Sequence, residues 1–415
     1  MKHLTSTALA LILAAGAARA ETTIDFALWG SPEEGEVWKT IAAEFEAAHP
    51  DIKVNIEVAD WDGYWEKLRV QVAGGEPPDV FAMDAPLYPD WQSRGVLLNL
   101  QPYLDANPSA LDGVYPITLE AYRTPDGLFG LPRDFQTIVL YYNKDMFDAA
   151  GQSYPDDSWS YDDFRAAAAR LTLDANGDGV KEQWGFWAEV YDMEPFWGPV
   201  VWAWGGSPVD PAAGTTLVNT PEAQAAFQFI HDMWKVDGSM PSEQELAQYG
   251  YDGFLAGVAA MGFSGHWSVP EYAAAGLNFD VAPLPIGPAG RATGVNSAGF
   301  VISADTDAPD AAWQFVQFAI SEAGQAKLAN IGLAVPILES VAKGEAYLGQ
   351  PVQINQALFV DALDYAHMKP VFRGYEEWSS AVGDALNLAW SGEEALADAL
   401  AIAVEDGDAA LAKNQ

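Results

Sequence analysis

Between Thr23 and Met83 the spacing of apolar residues switches repeatedly between two and about 3.6 residues, and this restricts the fold more than any other feature of the chain. Ile24, Phe26 and Leu28 alternate with smaller or polar residues, as in a strand. Ser31-Pro32-Glu33-Glu34 then forms a capping box with proline at the first helical position, and Val37, Ile41, Phe45 and Ala48 share one face of the helix that follows. Val54, Ile56 and Val58 alternate again, a helix is expected over about residues 63–72, and Asp79 to Met83 is a third strand. A βαβαβ order predicts an α/β fold, a parallel sheet with helices on both faces. Ligands of such sheets sit beyond the carboxyl ends of the strands, so the loops Trp29–Ser31 and Asp84–Tyr88 are expected at a common rim.

Residues 1–20 have a charged start at Lys2, an apolar run from Leu9 to Ala15 and a small-x-small ending at Ala18-Arg19-Ala20, the pattern of a secretory signal peptide. Cysteine is absent, which leaves no disulfide framework and no thiol near the cleavage site to take a lipid. The expected location is therefore the periplasm, without a lipid anchor. Removal of the leader leaves 395 of 415 residues. Single cores stop growing at roughly 250 to 300 residues, so two lobes are expected.

The full chain has 20 basic and 59 acidic side chains; without Lys2 and Arg19 the count is 18 against 59, a net charge of −41. Such a surface repels nucleic acid, anionic lipid and phosphorylated ligands, and the acid also serves solubility. With half its residues hydrophobic and 12% aromatic, the chain has the composition of a packed protein.

A first crossing between lobes is expected at Gly130–Thr137, which leads into the apolar strand Ile138–Tyr142. The strand Phe279–Leu284, with prolines at 283, 285 and 288, reads as a return crossing, and Pro336 marks a third. Lobe 1 is then expected over 21–133 and 285–335, and lobe 2 over 134–284 and 336–415. Ser160 caps a helix over Tyr161–Leu171, Thr220-Pro221 opens another, and Trp378 to Lys413 reads as amphipathic helices.

Eight fragments in order resemble the extracellular solute-binding proteins of family 1, the maltose-binding-like receptors of ABC importers. They begin at Phe45-Glu46-Ala47-Ala48-His49-Pro50-Asp51, Gly74-Gly75-Glu76-Pro77-Pro78-Asp79-Val80, Gly95-Val96-Leu97-Leu98-Asn99-Leu100 and Gly130-Leu131-Pro132-Arg133. They continue at Tyr142-Asn143-Lys144-Asp145-Met146-Phe147, Trp184-Gly185-Phe186, Trp204-Gly205-Gly206 and Met261-Gly262-Phe263-Ser264-Gly265-His266-Trp267. The resemblance implies a two-lobed periplasmic binding protein fold (type II) with two or three hinge crossings. It also implies a monomeric receptor that captures a neutral sugar or oligosaccharide and delivers it to membrane permease subunits, with no cofactor and no catalysis.

A sugar offers hydroxyls on its edge and C–H patches on its faces, so its site needs flat aromatic platforms beside fixed hydrogen-bond partners. Trp267 is the leading candidate, since the resemblance puts a stacking tryptophan at this position, and His266 before it is a further candidate. Trp29 follows the first strand, with Glu34 in the helix start behind it. Asp84 and Tyr88 lie in the loop after the third strand, Asp134 and Gln136 at the first crossing. The aromatic segment Glu194-Pro195-Phe196-Trp197, with Trp202 and Trp204, brings some ring to the cleft; the resemblance favours Glu194 and Trp197, loop geometry Trp204. Asn296, Arg373 and Tyr375 complete the set, Arg373 being equally well a salt-bridge partner. Asp174-x-Asn176-x-Asp178-Gly179 opens like a calcium loop, but Gly185 stands where the bidentate glutamate belongs, which favours an Asx-rich turn.

No nucleophile elbow, zinc-protease helix, phosphate loop or dinucleotide fingerprint is present. A glycoside-active enzyme needs only two carboxylates and stays open as a rival, as does a receptor for a cationic ligand such as a polyamine.

Overall fold

The computed structural model describes residues 21–188, 193–249 and 252–414; the leader lies outside them. Strand β1 (Thr22–Trp29), helix α1 (Pro32–Ala48), β2 (Ile52–Ala59), α2 (Trp61–Gly74) and β3 (Val80–Asp84) form the expected βαβαβ unit. Ser31 Oγ accepts the Glu34 N–H at 3.2 Å and starts α1. The capping box is only half made, because the Glu34 carboxylate turns instead toward Arg133 and the Trp38 indole. Asp60 caps α2 by accepting the Gly63 N–H at 2.9 Å, two residues earlier than the apolar spacing indicates.

The remaining strands of the principal sheets are β4 (Gly130–Pro132), β5 (Asp134–Thr137), β6 (Val139–Asn143), β7 (Met261–Ser264), β8 (Phe279–Ala282), β9 (Thr293–Asn296), β10 (Ala298–Ile302), β11 (Val335–Pro336) and β12 (Ala366–Met368). The first sheet has the order β2-β1-β3-β10-β4. Its first three strands are parallel, in register from Thr22 opposite Ile52 to Trp29 opposite Ala59, and β10 runs antiparallel to β3 and β4. A second sheet places β6 between β7 and β8, both antiparallel to it. A third, β11-β5-β9-β12, stands between them. The consecutive strands β4, β5 and β6 thus pass through all three sheets, and β9 and β10 return from the middle sheet to the first.

Two boundaries differ from expectation. Strand β8 belongs to the second sheet, paired from Phe279 opposite Asn143 to Ala282 opposite Leu140, so the proline-rich tract is not the return crossing. That tract stays with the second lobe: Ile286 donates its N–H to the Trp159 carbonyl, and the chain returns through β9. Pro336 does pair with Asp134. The segment after it, however, remains on the first lobe, where Leu338 bridges Val114 and Gln350 Nε2 donates to Ala329 O at 2.6 Å. Both misplacements have one cause: a proline marks where a helix stops and says nothing of which sheet receives the next strand.

The first core surrounds Phe26, against which Trp38, Phe300 and Phe315 pack at centroid distances of 5.3, 5.7 and 5.3 Å. The second gathers Phe164, Phe186, Phe263, Val201 and Leu386, with the antiparallel helices Tyr375–Ser391 and Leu396–Lys413 laid over it. Each buried large apolar side chain contributes about 1.5 to 3 kcal/mol relative to exposure. Among the described residues no helix is long and apolar enough to cross a membrane.

Gly185 sits where the helix Tyr161–Leu171 meets the strand-like segment 184–187, and a Cβ there would lie 1.8 Å from the Ala168 carbonyl oxygen. Gly185→Ala should therefore destabilise the protein by about 1 to 3 kcal/mol. Chemical denaturation would show this as a lower midpoint; an unchanged midpoint would contradict the packing.

Candidate ligand-binding cleft

A cavity of about 560 Å3 lies between the lobes with the middle sheet as its floor, within the range usual for small-molecule sites. The carboxyl ends of β1 and β3 supply Trp29 and Asp84, as the parallel sheet predicts. The start of α1 supplies Glu34 and the start of α2 supplies Trp61. The crossing segments bring Arg133, Asp134, Gln136, Asn296 and Lys369, and the second lobe adds Glu194, Trp267 and Glu271. Eight of the fourteen candidates from sequence therefore line the cavity: Trp29, Glu34, Asp84, Asp134, Gln136, Glu194, Trp267 and Asn296.

The other six lie elsewhere, each for a packing reason. The turn Ala85–Leu87 carries Tyr88 inward, where its hydroxyl donates to Tyr122 O at 3.0 Å. Trp197 packs on Phe227, and Trp204 between Tyr161 and Phe229. His266 is fully buried, its Nε2 2.6 Å from Gln356 Oε1, and burial pushes the imidazole down to about 4. Its backbone N–H is what serves the cleft, donating to Gln136 Oε1 at 3.0 Å. Tyr375 packs against Phe372 and Trp378 beneath Lys369, and Arg373 is exposed outside the cavity.

Two charge clusters organise the walls. The Arg133 guanidinium donates from Nε to Asp134 Oδ2 at 2.7 Å, stands 3.6 Å from Glu34 Oε1, and lies 5.3 Å from the centroid of Trp29. Opposite it, Lys369 Nζ donates to Glu194 Oε2 at 2.5 Å. Asn296 Nδ2 donates to Asp84 Oδ1 at 2.8 Å and to Glu194 Oε2 at 3.4 Å, which links a carboxylate of the first lobe to one of the second. Burial raises the Asp84 carboxyl above its ordinary value, Lys369 opposing this and Glu194 adding to it. Burial likewise raises Glu34, against the pull of Arg133. Reading the sequence missed Arg133, Lys369, Glu271 and Trp61; of these only Arg133 had a local signal, as the neighbour of Asp134 in a crossing segment.

Missing side chains shape the walls as well. A Cβ on Gly30 would stand 2.4 Å from Glu34 Oε2, and one on Gly265 would stand 2.1 Å from the Trp267 ring, so the carboxylate and the indole both rest on bare backbone. Beyond Trp267 a second cavity of about 180 Å3 is walled by Trp187, Phe196, Phe254, Phe263 and Tyr272.

Far from the cleft, the Asp174 loop is built as Asx turns. Asp174 accepts the N–H groups of Gly177 and Gly179, Asn176 that of Asp178, and Asp178 that of Val180. Glu182 supplies the third carboxylate of this exposed group.

Residues 29–326 match the profile of the bacterial extracellular solute-binding proteins. A putative binding protein of Brucella abortus is 25% identical over 411 residues, covering 97% of this chain and 96% of that one. The maltotriose-binding protein of Pyrococcus abyssi is 24% identical over 348 residues, 82% of this chain and 71% of its own. Among solved structures, an ABC substrate-binding protein of Listeria monocytogenes in complex with cycloalternan superposes with a TM-score of 0.85 at 25% identity, over 94% of this chain and 99% of that one. A cyclic α-maltosyl-1,6-maltose binding protein of Arthrobacter globiformis, at a TM-score of 0.80 and 22% identity over 95% of this chain and 100% of its own, shares the fold. With the profile matched over more than half its length, and with two lobes meeting at a polar and aromatic cleft, the chain belongs to the bacterial extracellular solute-binding proteins.

Proposed function

We propose that this protein is the periplasmic substrate-binding component of an ABC importer, which closes on a neutral sugar or oligosaccharide and hands it to membrane permease subunits. The observation that carries this reading is the composition of the cleft: tryptophans on both lobes, with carboxylates held between them as fixed acceptors. An indole face covers sugar C–H groups, and oriented carboxylates accept sugar hydroxyls. The relatives named above support the ligand class, since those whose names state a ligand bind oligosaccharides. Every relative described above is named a binding protein, which supports capture without turnover.

The mechanism follows from the joints. Ligand contacts from both lobes stabilise the closed arrangement relative to the open one, so binding shifts a population that the β5 and β9 joints permit. Gln136 couples the parts, because its side chain joins the backbone before Trp267 to Leu333 of the third segment. Lobe 1 comprises the first sheet and its helices, and lobe 2 the second sheet with the two C-terminal helices.

Ligand at 100 times its dissociation constant adds about 2.7 kcal/mol of stability. A thermal-shift panel of maltotriose, mannobiose, cycloalternan, D-tagatose and spermidine should therefore raise the midpoint with a saccharide and leave it unmoved with spermidine. The saccharide affinity should hardly change with ionic strength, whereas a cation's would fall; a shift with spermidine alone, lost in salt, would sink the sugar reading. Trp267→Ala should abolish the saccharide shift while keeping the unliganded midpoint, and Gly265→Ala should weaken binding by displacing the same ring. Undiminished binding by both removes Trp267 from the site.

The raised Asp84 carboxyl makes a prediction for pH. The native state holds this proton more tightly than the unfolded chain, so stability is lost as pH rises from 3.8 through the raised native value. Asp84→Asn should then raise the unliganded midpoint at pH 7, with the gain vanishing below 3.8, while weakening saccharide binding. A variant less stable than wild type at pH 7 would show that burial is not what governs Asp84.

A further inference from the structure

Trp29 is the natural choice for a stacking platform on the first lobe, yet its ring is already surrounded. Trp65 stacks on it at 5.7 Å with 29° between planes, Trp61 and Tyr64 meet it edge-on at 5.1 and 5.4 Å, and the Arg133 guanidinium stands 5.3 Å from its centroid. With Trp65 stacked on it and the Arg133 guanidinium over the ring, much of the Trp29 surface is already covered. Its neighbour differs. Trp61, the first residue of α2, lines the same cavity and is 46% exposed, against at most 9% for the tryptophans of the two cores. Trp61 lies at 77° to Trp29 and 73° to Trp65, so these two rings hold its orientation while leaving apolar surface open to the cleft. A large indole left in water at a rigid helix start is costly unless something covers it.

We propose that Trp61 is the first lobe's carbohydrate-stacking residue and that Trp29 and Arg133 form its backing, so that the ligand is gripped between Trp61 and Trp267. This rests on the carbohydrate reading and deepens it. It assigns the ligand at least two sugar rings, one resting on each tryptophan, with the carboxylates of Asp84 and Glu194 between.

The test uses the full mature protein and the saccharide giving the largest thermal shift among maltotriose, mannobiose and D-tagatose. Calorimetric titration should show Trp61→Ala weakening the disaccharide or trisaccharide roughly tenfold, the size of an aromatic stacking contact. Trp61→Phe should recover part of that loss, and D-tagatose should bind more weakly than the longer sugars. Hydroxyl-radical footprinting read by peptide mass supplies a measurement that needs no variant: saturating saccharide should protect Trp61 from oxidation. Wild-type affinity in Trp61→Ala, or undiminished oxidation of Trp61 beside a ligand that Trp267→Ala abolishes, overturns the assignment and leaves the carbohydrate reading standing. No heat from any saccharide with wild-type protein overturns both.

Discussion

Backbone pairing between β5 and β9, with Val295 opposite Thr137 and Asn296 opposite Gln136, is the joint on which everything else in the molecule hangs. The strands on either side of β5 enter different sheets, so the same few residues tie the lobes together and floor the cleft. Alternation along β5 turns Phe135 and Thr137 toward buried partners while Asp134 and Gln136 reach the cavity. A one-residue slip would exchange these two sets, taking the Asp134 carboxylate from Arg133 and turning a phenyl ring toward the cavity. The joint between the lobes and the floor of the cavity are therefore the same register.

The cleft also sets the electrostatic balance of the chain. A protein with three times as many acids as bases has placed two of its few cations, Arg133 and Lys369, at this one cavity. Each is held against carboxylates: Arg133 against Asp134 and Glu34, Lys369 against Glu194. Desolvating such groups costs more than their pairing returns unless the geometry is good and the remaining lone pairs are satisfied. Burial raises the Asp84 and Glu34 carboxyls, the direction expected where that cost is not fully offset. Desolvated carboxylates on a cavity wall are groups whose burial cost a hydroxyl donor would offset.

The legible parts of the sequence were those governed by local rules. Switching periodicity placed β1 through β3, and the strand-end rule then put Trp29 and Asp84 at the cleft. Trp267 was reached through the resemblance at Gly265-His266-Trp267, and its ring lines the cavity. The return crossing was not legible, since the choice between sheets depends on long-range pairing of β8 with β6 that no proline announces. Tyr88 and Trp204 were misread for a related reason: a loop position makes an aromatic accessible to the cleft or to the core, and only the packing of Tyr122, Tyr161 and Phe229 decides. Arg133, Lys369 and Trp61 escaped because a charged residue beside a strand end and an indole at a helix start are ordinary by themselves. Their meaning comes from what stands across from them.

The glycines show how the site was made from an otherwise ordinary aromatic protein. Of 16 tryptophans most are buried as packing. Trp267 departs from that role because its ring lies over Gly265, where any side chain would lift it away, just as Gly30 makes room for the Glu34 carboxylate. Neither glycine has a positive φ among those that do, so neither is required by backbone conformation. Their place is explained by the space they leave, which lets an indole and a carboxylate settle against bare backbone and face the same cavity from opposite lobes. The shape of this cavity therefore depends as much on where side chains are absent as on which aromatic residues are present.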